Sequence, residues 1–202
     1  MRCNFSLIGL GVLSALPLGS LPSSAGPRPA VSVVIQLHDA LGLPAEVLNG
    51  AKEEVARTFL AAGVQIVWAS QGLTPADDLR SPCGRRLQVS IVSGPPADRQ
   101  DLDTWAGVLG KAQRGNGRAE VFYRRLATAA SLHPVAVSLV LGHVMSHEVG
   151  HLLLPSGNHA DVGIMRQAVD FRHVAVRRFT DDQSAQIRAG LARNGEVSSC
   201  AG

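Results

Sequence analysis

From residue 31 onward the apolar positions follow two different rhythms. Val31 to Leu37 is a short run rich in β-branched side chains, the pattern of a buried strand. From Leu43 to Ala62 the apolar residues Val47, Ala51, Val55 and Phe59 recur every four positions. That spacing places them on one face of an amphipathic helix, and Gly63 behind it is suited to the C-cap. Val64 to Ala69 and Leu87 to Val92 are two further strand-like runs. A strand, a helix and a strand of these lengths predict a right-handed crossover with the two strands parallel.

Between the second and third runs, Ser70 to Arg86 is polar and reads as a loop. Gly94 to Gly117, with Pro95-Pro96, several aspartates and Gly115-Asn116-Gly117, also reads as a loop. Arg118 to Arg125 alternates, Ala119, Val121 and Tyr123 facing one way and Glu120, Phe122 and Arg124 the other, which predicts a half-exposed strand at a sheet edge. Pro134 to Leu154 is apolar nearly all round, so it is predicted as a buried helix with Pro in its first turn. Thr180-Asp181-Asp182-Gln183 has the form of a capping box opening a last helix, with Ile187 and Leu191 as its core positions. Together these elements predict one α+β domain: a small mixed sheet, a backing helix and a central helix.

The central helix carries the chemistry. It contains His147-Glu148-Val149-Gly150-His151. Residues four apart on a helix stand one above the other, so two imidazoles converge on one point. Glu148 lies one residue round from the first, within reach of a water at that point. Two neutral nitrogens beside a carboxylate suit Zn²⁺, with Glu148 as general base. A catalytic zinc also needs a third protein ligand and one open position. Pro155 ends the helix, Gly157 and Asn158 can turn the chain, and His159 then falls on a return loop. His159 is the leading candidate for the third ligand and Asp161 the reserve. His143 extends the same helical face, either as support for the site or as a hydrogen-bonded core residue. His38, His133 and His173 have no ligand spacing.

Over residues 142 to 166 the chain resembles the metzincin class of zinc metallopeptidases, and in particular a metzincin-like group of small secreted bacterial proteins with a lengthened loop. That class places a Gly three positions after the second His and a third His six positions after it, with a Met-containing turn beyond. Here Leu154 stands at the Gly position and Gly157 at the third His position, so His159 comes two residues late. Gly163-Ile164-Met165 is similar to the Met-turn, and the resemblance implies that Met165 floors the zinc site. No Tyr follows Met165. The resemblance further implies a metzincin-like fold, peptide or protein substrates, and an edge strand that aligns them, for which Arg118 to Arg125 is the candidate.

The opening segment changes the compartment expected. Residues 1 to 25 read as a signal peptide: Arg2, an apolar stretch from Phe5 to Leu18 broken by Gly9, Gly11 and Pro17, then Ser23-Ser24-Ala25 before Gly26. The expectation is therefore a secreted or periplasmic catalytic domain over 26–202 with no stable membrane insertion after cleavage. Three histidines and a glutamate make the central helix a poor bilayer span. Cleavage would remove one basic residue and lower the net charge of +3 by one. So weak a charge, without clustered aromatics, gives no case for nucleic acid. Cys83 and Cys200 would remain, free or paired. The predicted activity is peptide-bond hydrolysis. A zinc-containing binding protein without turnover, and a zinc hydrolase of non-peptide amides, are the alternatives that share these residues.

Overall fold

A computed structural model describes residues 31–69, 85–94 and 107–193. The signal segment, Cys83 and Cys200 lie outside the described residues. Among those described, five strands form one sheet in the order β2-β1-β3-β5-β4. They are β1 (Val31–Asp39), β2 (Val64–Trp68), β3 (Arg85–Val92), β4 (Gly110–Gln113) and β5 (Arg118–Phe122). The first three and β5 run parallel, while β4 is antiparallel to β5. This is the small mixed sheet expected, and α1 (Ala45–Ala61) makes the crossover from β1 to β2.

The backing helix and the central helix α3 (Val137–Leu153) pack on each other and on the sheet. The α1 face is set by Ala51, Val55 and Phe59, all fully buried, and the sheet contributes Val33, Ile35, Val89 and Ile91. Gly142 lets the two helices approach closely: a Cβ there would lie 2.6 Å from the Ala51 carbonyl oxygen and 2.6 Å from Glu54 Cβ. Helix α4 (Asp181–Arg193) opens with the expected capping box. Gln183 Oε1 accepts from the Thr180 amide at 3.0 Å, and Thr180 Oγ1 accepts from the Gln183 amide at 3.2 Å. No described helix is long and apolar enough to cross a membrane.

Three expectations need correction. The strand beginning at Arg118 is not an edge: β5 is paired on both sides, and among the described residues the sheet ends at β4, inside the stretch read as loop. That strand also stops at Phe122, where α2 (Tyr123–Ala130) begins and buries Leu126 and Ala130. The central helix starts at Val137 rather than Pro134, because Ala136 is extended (ψ 131°) and serves as N-cap.

Candidate metal centre and cleft

His147 and His151 project from consecutive turns of α3, and each ring is fixed by a backbone carbonyl. His147 Nδ1–H donates to Ile164 O at 2.8 Å, and His151 Nδ1–H donates to Gly157 O at 2.8 Å. A carbonyl can only accept, so both rings carry their proton on Nδ1 and present the Nε2 lone pair. Those two Nε2 atoms are 2.9 Å apart. Burial pushes His147 down to about 4, and burial together with the charge of His159 lowers His151. Neither ring therefore holds an extra proton at neutral pH. Two lone pairs facing each other at this distance repel unless a cation lies between them, so the donor set fits a metal ion.

The third imidazole arrives on a loop whose turn is delayed. Leu154 precedes Pro155, which disfavours helical backbone, and it leaves α3 extended with φ −77° and ψ 139°. The reversal comes at Gly157, whose φ of 61° is the left-handed region that glycine adopts without penalty. This places the turning glycine three residues beyond Leu154 and accounts for the late His159. The His159 ring lies 5.3 Å from that of His147 and 4.8 Å from that of His151, centroid to centroid. The ligand atoms of all three fall within 4.8 Å of one another. Nitrogens sharing one zinc at its usual bond length stand about 3.3 Å apart, so a small adjustment closes the set. Asp161 is exposed and outside this cluster.

Below the rings, Gly163 takes a φ of 74° and Ile164 turns its carbonyl to His147. Met165 is fully buried against α3 at Gly150, where a Cβ would lie 2.5 Å from the Met165 Sδ. The glycine inside the His-Glu-Val-Gly-His run thus makes room for the methionine. His143 is a core residue: it is 2% exposed, bonded through the backbone of Val174, and pushed down to about 4 by burial. His38, His133 and His173 are exposed; His133 stacks on Phe171 and His173 bonds Asp170.

Glu148 faces the same space from the next position of α3. It is 6% exposed, and burial raises its carboxyl to about 8. A cleft of about 550 Å³ is lined by all three imidazoles, Glu148, residues 107–112 and Arg114 around β4, and Gln167 to Val169. The residues 107–114 were not distinguished from loop in the sequence, and Tyr123 is not among the described residues that line the cleft.

A mixed sheet with a backing helix and a histidine-bearing central helix defines a fold shared with zinc-dependent peptidases of known structure. One such structure is a zinc-dependent peptidase from Methanocorpusculum labreanum, with 16% identity and a TM-score of 0.50, covering 77% of this chain and 99% of that one. An archaemetzincin from Methanopyrus kandleri is similar at 15% identity and a TM-score of 0.47, covering 83% of this chain and 99% of that one. No family model matches the chain, and no curated protein matches it by sequence.

Proposed function

We propose that the chain is a zinc-dependent metallopeptidase in which His147, His151 and His159 hold Zn²⁺ and Glu148 is the general base. The observation that carries this reading is the pair of carbonyl-locked rings with Nε2 atoms 2.9 Å apart and a third imidazole beside them. The shared fold with a zinc-dependent peptidase supports it.

When bound, zinc supplies Lewis acidity, which acidifies water and polarises a carbonyl. The protein's own groups do the rest. β4 ends the sheet among the described residues, and Gly110, Lys111 and Ala112 line the cleft, where an extended peptide would lie beside this strand with its scissile bond over the imidazoles. This role passes from Arg118–Arg125 to Gly110–Gln113. Glu148 takes a proton from the attacking water at its carboxylate as the water oxygen bonds to the carbonyl carbon. It then gives that proton to the amine nitrogen as the C–N bond breaks. Burial raises this carboxyl to about 8 in the metal-free protein, where it keeps its proton at neutral pH. A cation held by the three imidazoles would favour the carboxylate form that accepts the water's proton.

Secretion or periplasmic export, peptide and protein substrates, and endopeptidase rather than exopeptidase action belong to the same proposal. Metal analysis of the purified protein, with peptide hydrolysis assayed for the wild type and Glu148→Gln, tests it. Zinc at one per chain in both proteins and cleavage by the wild type only is the expected result. A wild type that carries no zinc sinks the metal assignment, and zinc without peptide cleavage leaves the binding protein and the hydrolase of non-peptide amides.

A further inference from the structure

The loop carrying His159 makes few bonds of its own. Pro155, Ser156, Asn158 and His159 are exposed, and the Asn158 amide reaches Ser156 Oγ at 3.4 Å. What grips the loop comes from the sheet. Arg114 follows β4 directly, in a single helical turn (Arg114–Asn116) before β5. Its Nη2 donates to Leu154 O at 2.8 Å and to Pro155 O at 2.6 Å. These carbonyls stand at the C-terminal end of α3, where backbone acceptors lack helical partners and the helix dipole favours a cation.

The same guanidinium reaches the turn. A Cβ on Gly157 would lie 2.5 Å from Arg114 Nη1 and 3.1 Å from its Cδ. Residue 157 is the one whose carbonyl fixes the His151 ring. One side chain thus touches both the start of the loop and the residue that orients a ligand, forty or more positions away in sequence.

We propose that Arg114 is a positioning residue for the metal centre, holding residues 154–157 so that His159 and the His151 ring are in place before an ion arrives. The inference rests on the zinc reading above. Ordering an exposed loop in advance removes an entropic cost from binding, and charge-assisted bonds to two carbonyls are stronger than neutral ones. Because Arg114 leaves the edge strand β4, it also ties the strand that faces substrate to the loop that supplies the third ligand.

The test compares full-length wild type, Arg114→Ala and Arg114→Lys by zinc affinity in chelator competition and by the visible absorption of the Co²⁺-substituted proteins. Arg114→Ala is expected to bind zinc about 10- to 100-fold more weakly, the usual effect of losing a group that orients ligands. Its Co²⁺ bands should shift, and the metal-free protein should melt only a few degrees lower, the cost of the lost hydrogen bonds. Lysine should restore part of the affinity, since one ammonium can also donate to both carbonyls. Methylguanidinium added to the alanine variant should restore more, because it also returns the nitrogen beside Gly157. If Arg114→Ala does not fold, Arg114→Met replaces it, as it keeps an aliphatic stem and removes every donor. A variant with wild-type affinity and an unchanged Co²⁺ spectrum overturns the proposal while leaving the zinc site standing. A wild type that binds no zinc overturns the site itself.

Discussion

Gly110 on the edge strand faces the carboxylate of Glu148 so closely that a Cβ at 110 would lie 2.6 Å from Oε1 and 2.8 Å from Cγ. The same Cβ would also lie 2.9 Å from the Glu120 carbonyl oxygen, a backbone atom of the paired strand β5. Gly110→Ala should therefore displace the carboxylate and spare the imidazoles. The expected result is a fall in kcat/KM of about 10- to 100-fold, the scale of a misplacement near 1 Å. Zinc content should be unchanged. Wild-type activity in that variant would show that Glu148 does not work from this position.

The three-imidazole grip makes a separate prediction about stability. A ligand that binds only the folded chain stabilises it by about 4 kcal/mol at a thousandfold excess over its Kd. For a domain of this size that raises Tm by about 10 °C. Chelation should reverse the gain. His159→Ala should raise the zinc Kd by more than about 100-fold, beyond the effect of losing an orienting group, and Asp161→Ala should leave it alone. Calorimetry with and without chelator checks both; a zinc Kd unmoved by His159→Ala would reassign the third ligand.

How far the sequence carried this depends on whether the determinant was local. Runs such as Val31 to Leu37 and the four-residue recurrence from Val47 to Phe59 announce their elements, because burial on one face is written into nearby residues. The Thr180 to Gln183 box is local too. The edge strand was not legible, since Gly110-Lys111-Ala112-Gln113 has no apolar alternation and is a strand only through its pairing with Arg118 to Val121. The step from strand to helix at Tyr123 was missed because alternation ran past Phe122. Leu126 and Ala130, four apart and both buried, held the missed signal. At the site, the His-Glu-Val-Gly-His run gave two rings and a carboxylate. Arg114 and Gly110 could not be found that way, because their roles come from contacts across the fold.

Gly142 supplies a prediction about packing alone. Its Cβ would strike the Ala51 carbonyl oxygen, a backbone atom that cannot swing aside. Gly142→Ala should cost about 1–3 kcal/mol despite the better helix propensity of alanine. Gly115→Ala is the control: nothing lies within 4 Å of its added carbon, so stability should stay within about 0.5 kcal/mol. Equal denaturation midpoints for the two variants would mean that α1 and α3 are not in the close approach described.

The buried His143 makes stability depend on pH in a defined direction. Burial outweighs its backbone bond to Val174, and the charges of Arg177 and Arg178 add to the burial, so its folded pKa is about 4 against 6.5. As pH falls below 6.5 the unfolded chain takes up a proton that the folded chain refuses until about 4. The contribution is therefore complete above pH 6.5 and lost progressively down to pH 4, amounting to about 3 kcal/mol. His147 titrates in the same direction and window in metal-free protein, so the comparison must isolate His143. Urea unfolding of chelator-treated wild type and His143→Leu at pH 7 and pH 4 does so. The wild type should lose more stability across that interval, by about 3 kcal/mol, because leucine has no proton to refuse. Equal losses would mean that the ring at position 143 is solvated or already charged in the folded chain.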